Sequence, residues 1–95
     1  MQVTVRFTGP IRALAGRQRD AVSLPNGATV RDLLRALAEA MPGPFVQEIL
    51  TPLETGGAPL ALLLVNAANL RSPADLDRPL GDGDIIAFVP PMGGG

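Results

Sequence analysis

The first residues of the chain alternate between apolar and polar side chains. In residues 2–8 one face carries Val3, Val5 and Phe7, and the other carries Thr4, Arg6 and Thr8. A period of two predicts a strand that is buried on one side. The segment from Asp20 to Leu24 repeats the alternation, so we expect it to pair with the first strand as a hairpin. A longer loop that includes Ala13 to Arg17 joins the two strands.

A helical pattern follows the turn sequence Pro25-Asn26-Gly27. Thr29, with Asp32 three positions later, is typical of the capping box that begins a helix. Apolar residues then recur at helical spacing, and Pro42-Gly43 ends the run. These residues are Val30, Leu33, Leu34, Leu37, Ala38 and Met41.

The rest of the chain is predicted to form a short helix, an exposed loop and three strands. The helix is expected at Phe45 to Leu50, the loop at Thr51 to Pro59, and the strands at Leu60 to Asn66, Asn69 to Arg71 and Asp84 to Val89. This order, with one main helix packed across a mixed sheet, predicts the α+β class and a β-grasp (ubiquitin-like) architecture. The first and last strands would then lie side by side at the centre. Other α+β arrangements with the same order remain open.

Two of the predicted strands are apolar at every position, at Leu60 to Val65 and at Ile85 to Val89. Such a pattern is expected for strands that are buried on both faces. One helix covers only one face of the sheet, so the other face is expected to be an exposed apolar surface that binds a partner. The residues predicted to point away from the helix are Ile85, Ala87, Val89, Leu62 and Leu64. Two alternatives are that the segment from Phe45 to Leu53 folds over this face, or that a homodimer covers it.

The last strand leads directly into Pro90-Pro91-Met92-Gly93-Gly94-Gly95. We therefore divide the chain into a domain at residues 1–89 and a flexible tail at residues 90–95. Extended, the tail reaches roughly 20 Å, enough to carry a terminal carboxylate into another protein's active site. The prolines stiffen its base, and the glycines leave its end without side chains. The alternative is a frayed terminus.

Composition excludes several classes of function. The net charge is −1 and aromatic residues make up 3% of the chain, so no nucleic-acid surface is expected. No apolar run is long enough to span a bilayer, and we expect a cytoplasmic protein without a membrane partner.

The chain has no Cys and no His, which removes the usual metal ligands, thiolates and the commonest general base. The close acidic pair Asp82 and Asp84 has the setting of a tight turn. We therefore expect a non-enzyme with no metal site and no bound cofactor.

All eight basic side chains are arginine. An activated C-terminus would therefore meet no internal lysine or cysteine to capture it. A genome that prefers arginine codons gives the same composition.

Motifs along nearly the whole chain resemble those of the ubiquitin-like sulfur carriers, and most of all those of the small subunit of molybdopterin synthase. The matching segments are Ile11 to Gly16, Leu24 to Leu34, Val65-Asn66, Pro79 to Asp84 and the tail from Pro90 to Gly95. The Asp-Gly-Asp turn, the strand, Pro-Pro and the terminal glycines in register are the most specific of these.

The resemblance implies a carrier rather than an enzyme. An ATP- and magnesium-dependent adenylating enzyme would activate the carboxylate of Gly95, and a sulfur donor would convert it to a thiocarboxylate. Gly94 and Gly93 would thread a tunnel in the large subunit of molybdopterin synthase, while Pro90 and Pro91 set the direction of exit. The catalytic groups would reside in that partner.

The resemblance leaves the pathway open. Gly93 stands where the family tail more often has another small or polar residue, a feature that carriers for thiazole synthesis share. Similar carriers serve cysteine synthesis and transfer-RNA thiolation. Alternatives of another class are a protein modifier, joined through Gly95 to lysines of its targets, and a ubiquitin-like binding module that is never activated.

Overall fold

The computed structural model of the protein describes residues 1–56, 61–70 and 73–91. In chain order the elements are β1 (Gln2–Phe7), α1 (Pro10–Ala15), β2 (Arg19–Ser23), α2 (Val30–Ala40), α3 (Gly43–Phe45), a π-helical turn (Val46–Leu50), α4 (Thr51–Thr55), β3 (Leu62–Val65), β4 (Ala68–Asn69), a 3-10 turn (Pro73–Asp77) and β5 (Ile85–Val89). No helix in these ranges is long and apolar enough to cross a membrane.

The five strands form one mixed sheet in the order β2-β1-β5-β3-β4. β1 and β5 lie side by side in parallel at its centre, with Thr4 opposite Ile85 and Arg6 opposite Ala87. The neighbouring pairs, β1 with β2 and β5 with β3, are antiparallel. This is the β-grasp arrangement predicted from the order of elements.

Helix α2 begins with the capping box that the sequence predicts. The backbone N–H of Thr29 donates to the Asp32 carboxylate at 2.9 Å, and the backbone N–H of Asp32 donates to the Thr29 hydroxyl at 3.3 Å. The predicted apolar stripe is buried against the sheet, apart from Ala38, which is exposed because it falls on the outer side of the last turn. Met41, just beyond the last helical residue, is buried.

Two predicted loops are partly helical. The connection between β1 and β2 contains α1, because Pro10 is suited to the first turn of a helix and the i, i+4 pair Ile11 and Ala15 gives it a buried side. The predicted exposed loop at Thr51 to Pro59 is wrong in its first part, where α4 continues the helical segment that precedes it.

A π-helical turn carries the chain into α4. The backbone N–H of Thr51 donates to the carbonyl of Val46, five residues earlier, and Pro52, which has no N–H to contribute, follows at once. Gly56, with a φ of 79°, ends the helix. Residues 57–59 of the predicted loop lie outside the described residues, as do Leu60 of the third predicted strand and Arg71 of the edge strand.

The core lies between the sheet and these helices. Phe7 of β1, Phe88 of β5 and Phe45 of α3 are buried and touch one another, with ring centroids 5.4 to 5.7 Å apart. Ile49 and Leu50 are buried in the same cluster. The segment at 45–53 therefore packs on the face that α2 covers, and it leaves the opposite face of the sheet open.

Candidate functional site at the C-terminal end of β5

The end of β5 is bound to the residue that follows β1. The backbone N–H of Thr8 donates to the carbonyl oxygen of Phe88 at 3.2 Å, and the Thr8 hydroxyl donates to the same oxygen at 3.1 Å. The Phe88 ring stacks on Phe7 at a centroid distance of 5.7 Å. Both the backbone and the side chain of Phe88 are thus held in place, two residues before the tail begins.

The first residue of the tail, Pro90, packs against Gly9. The backbone of Gly9 has a φ of 56° and a ψ of −141°, a combination that residues with a Cβ rarely adopt. A Cβ at this position would lie 3.4 Å from Cγ of Pro90. Glycine is therefore favoured here by the unusual backbone conformation, while a Cβ would only make van der Waals contact with the proline ring.

The tail emerges at the next residue. Pro90 is half-buried and Pro91 is exposed, so the chain leaves the body of the domain between them. The predicted boundary between residues 89 and 90 lies one residue before this change in exposure, and it stays a prediction. Gly93, Gly94 and Gly95, which the sequence predicts to be the reactive end, lie outside the described residues.

The strand face that ends at this exit is apolar. Strand register places the five predicted surface residues together on the side away from α2, with Leu62 opposite Val89 and Leu64 opposite Ala87. Ile85, next to this pair of rows, is 46% exposed, the one large apolar side chain among the described residues to be so open. We call Ile85, Ala87, Val89, Leu62 and Leu64 the outer patch. Their outward orientation confirms the geometry that alternation predicts.

Two arginines border the outer patch. Arg6 and Arg19 are directly opposite each other on β1 and β2, and Arg6 is opposite Ala87 on β5. Both side chains are exposed. One row across the sheet therefore runs from two cations to the apolar residues Ala87 and Leu64.

The acidic pair beside the start of β5 has a structural role, as predicted. The Asp82 carboxylate accepts a hydrogen bond from the backbone N–H of Gln2 at 2.8 Å. The Asp84 carboxylate accepts from the N–H of Gly81 and from the amide of Asn66, at 2.8 and 2.9 Å, and these bonds lower its pKa below the ordinary value of 3.8. Both carboxylates hold the turn against the neighbouring strands.

A shallow groove of about 530 Å³ lies between the β2–α2 connection and α2, where Ser23, Pro25 and Ala36 are among its lining residues. Its ionisable side chain is Asp32, whose carboxylate already caps α2. The bonds with Thr29 lower the pKa of Asp32. The Asp32 carboxylate in this groove is thus committed to the start of the helix.

Within residues 1–56, 61–70 and 73–91 no cluster of three or more acidic side chains is placed to hold a metal ion.

Comparisons with known proteins agree with the fold. The sequence pattern of the ThiS family matches residues 5–95, nearly the whole chain. The chain belongs to the ThiS family. This confirms the resemblance to the ubiquitin-like sulfur carriers. A comparison with curated proteins found no match.

Three solved structures illustrate the range of proteins that this ThiS-family chain is similar to. A protein from Pyrococcus furiosus, described as a candidate subunit 1 of molybdopterin converting factor, is 26% identical, with a TM-score of 0.75 over 97% of this chain and 99% of that one. Another match is a complex of subunits 1 and 2 of molybdopterin-converting factor from Helicobacter pylori. One chain of that complex is 25% identical to this chain, with a TM-score of 0.64 and full coverage of both chains. Small archaeal modifier protein 1 from Methanosarcina acetivorans is 26% identical, with a TM-score of 0.71 over 99% of this chain and 96% of that one.

Sequence analysis did not single out the residues that hold the tail of this ThiS-family chain. Thr8 was predicted only as the polar end of a strand face, and Gly9 was not considered. The dipeptide Gly9-Pro10 is a turn signal that indicates an unusual backbone there. Its contact with Pro90, 81 positions later, follows only from the parallel pairing of β1 and β5.

Proposed function

We propose that this chain is a sulfur carrier and acts as the small subunit of molybdopterin synthase. An adenylating enzyme uses ATP and magnesium to convert the carboxylate of Gly95 to an acyl-adenylate. A donor that supplies sulfur at the sulfide level then attacks the carbonyl carbon, the bond from that carbon to the phosphate oxygen breaks, AMP leaves, and a thiocarboxylate results. The large subunit of the synthase receives the tail and catalyses transfer of the sulfur to a cyclic pterin precursor.

The observation that carries this proposal is the fixed exit of the tail beside an open apolar surface. Thr8 and Gly9 hold the chain at Phe88 and Pro90, and the outer patch ends at the same place. A partner docked on the outer patch would meet the base of the tail at a defined point. Fixing the base limits the volume that the reacting end of the tail can search, which would remove part of the entropic cost of the reaction.

The complex of the Helicobacter pylori subunits supports a large subunit as the partner, because one chain of that complex shares this fold over its full length. Three carboxylates among the described residues are committed to structure: those of Asp82 and Asp84 to the turn, and that of Asp32 to the helix cap. The proposed division of labour therefore gives the carrier the reacting carboxylate and gives the partners the catalytic groups.

The intact mass of the protein tests the carrier role. The chain is incubated with ATP, magnesium, a sulfur donor and an adenylating enzyme from the same source, beside a variant that lacks Gly95. We expect a mass gain equal to the replacement of one oxygen by one sulfur, in the full chain alone. No gain with any adenylating enzyme of that source would contradict the proposal and favour an unactivated binding module.

The pathway needs a second measurement. The loaded protein is mixed with the large subunit of molybdopterin synthase and the pterin precursor, and dithiolene product is measured together with loss of the thiocarboxylate. Product formation supports the molybdopterin role. Loss of the sulfur only to an acceptor for cysteine, thiazole or transfer-RNA thiolation would assign the carrier to that pathway.

A second candidate is a protein modifier, which the similarity to small archaeal modifier protein 1 favours. A modifier would form an amide between Gly95 and a target lysine, so the cell would contain covalent adducts of higher mass. Deleting Gly94 and Gly95 would abolish these adducts. Adducts that form while no thiocarboxylate accumulates would favour the modifier over the carrier.

A further inference from the structure

We propose that Arg6 and Arg19 bind an acidic group on the partner protein that docks on the outer patch. The proposal rests on the proposed function, since it adds the charge of the partner to the docking surface described above. The partner would present one or more carboxylates opposite the arginine pair and an apolar surface opposite Ala87 and Leu64.

The first argument is that the pair is unfavourable in the free protein. Arg6 and Arg19 are directly opposite in an antiparallel register, where like charges destabilise a sheet. Neither side chain makes a hydrogen bond or an ion pair with any described residue. A nearby carboxylate, that of Asp20, is bound instead to Arg17 at 2.8 Å.

Other arginines of the chain do have acidic partners. Arg31 lies 3.2 Å from Asp77, and Arg35 lies 3.8 Å from Glu54. These pairs involve residues of the helical layer. Arg12 and Arg78 have no ion pair among the described residues either, but Arg6 and Arg19 differ from them in lying directly opposite each other on the face of the sheet away from α2. The charge that would balance Arg6 and Arg19 is thus absent from the described part of the chain and would come from outside it.

The second argument is position. Arg19, Arg6, Ala87 and Leu64 form one continuous row across four strands. Neighbouring strands are about 4.8 Å apart, so Arg6 is the immediate neighbour of the apolar patch and Arg19 is about 10 Å from it. Val89, the last residue before the tail, follows Ala87 by two residues on β5, so the two lie about 7 Å apart. A partner that covers the patch and receives the tail must also cover or border the arginines.

The surroundings favour a protein rather than a nucleic acid as the bound acid. Two cations beside an aliphatic patch match the mixed apolar and charged surface of a protein interface. The outward-facing residues of the described strands include no aromatic side chain on which bases could stack. Charges at the border of such an interface act mainly on the rate of association.

Binding kinetics of charge variants test the proposal. The probe is the large subunit of molybdopterin synthase from the same source, with the full chain and with its Arg6→Gln, Arg19→Gln and doubly substituted variants. We expect the double variant to associate about tenfold more slowly at low salt, with the difference shrinking at high salt. Arg6→Glu should slow association further.

Thermal unfolding of the same variants distinguishes a binding role from a structural role. Removing one of two facing cations should leave the free protein equally stable or raise its unfolding midpoint by about 1 to 4 °C. Weaker binding together with unchanged or higher stability is the expected combination. A fall in stability that parallels the loss of binding would overturn the proposal.

Arg35→Gln is the matched control, because it removes the same charge from an exposed position on α2, on the other side of the sheet from the row. It should bind as the unmodified chain does.

If all arginine variants bind as tightly and as fast as the unmodified chain at low salt, the inference is wrong while the proposed function stands. If the unmodified chain does not bind the large subunit, both fail. Competition by RNA at micromolar concentration, lost in the double variant, would overturn the choice of a protein carboxylate.

Discussion

Thr8 places two donors on one acceptor: its backbone N–H and its hydroxyl both bind the carbonyl oxygen of Phe88, at 3.2 and 3.1 Å. The acceptor lies two residues before the tail. A residue near the N-terminus thereby holds the backbone of β5 just before the tail begins.

Replacing Thr8 with Val removes the hydroxyl donor and keeps the shape of the side chain. The backbone bond remains, so the variant should fold, with a loss of about 0.5 to 1.5 kcal/mol in the free energy of unfolding. The rate at which the adenylating enzyme loads Gly95 should fall by up to about tenfold, because the tail leaves in a less defined direction. Thr8→Ser, which keeps the hydroxyl, is the control. Equal loading rates for both variants would show that the hydroxyl has no part in presenting the tail.

Replacing Gly9 with Ala introduces a Cβ next to Pro90, where the present φ is 56°. Backbone strain should destabilise the domain by roughly 1 to 3 kcal/mol, and a backbone shift that relieves this strain would move residue 9 relative to Pro90. Gly16→Ala is the matched control, since Gly16 has a φ of 75° and no atom within 4 Å of the added Cβ. Loading of Gly95 should be impaired in the first variant, beyond what its stability explains, and not in the second. Similar loading of the two variants would contradict a role for the contact.

Replacing Val89 with Arg puts a charge into the outer patch at the point where the tail leaves. Burying that charge without a partner would be costly, so binding to the large subunit should weaken by at least about tenfold. Ala40→Arg adds the same side chain at an exposed position on α2, and it should bind normally. Isothermal titration of both variants, with unfolding curves to show that each is folded, measures this. Unchanged affinity for Val89→Arg would exclude the outer patch as the docking surface.

The Asp84 carboxylate should make the fold sensitive to acid. Its pKa is lower in the folded protein than the ordinary value of 3.8, because Gly81 and Asn66 donate hydrogen bonds to it. The stabilisation is therefore complete above that ordinary value and is lost as the pH falls through the lower, folded pKa. Thermal unfolding between pH 6 and pH 2 should show a steeper fall in midpoint for the unmodified chain than for Asp84→Asn. Asp77→Asn, which alters an exposed ion pair with Arg31, should keep the steep dependence. Identical slopes for the unmodified chain and Asp84→Asn would refute this role.

Local sequence rules predicted those parts of the fold in which neighbours along the chain decide the outcome. Thr29 and Asp32 are three positions apart, so the capping box needs only its own turn of helix. Alternation along residues 2–8 likewise separated the buried Val3 and Val5 from the exposed Arg6. The rules failed at Thr51, where they predict a loop and the structure has a π-helical turn that leads into α4 and accommodates Pro52.

The sequence by itself determined that an apolar strand leads into Pro90-Pro91-Met92-Gly93-Gly94-Gly95, and that the strands carry more apolar residues than one helix can cover. Only the tertiary structure decided that the segment at 45–53 packs on the same face as α2. It also decided what surrounds the base of the tail. The contacts of Thr8 with Phe88, of Gly9 with Pro90 and of Arg6 with Arg19 depend on which strands pair and in which register. Register is set by the burial of Phe7 and Phe88 in the shared core, a property of the whole sheet, and no local pattern of residues contains it.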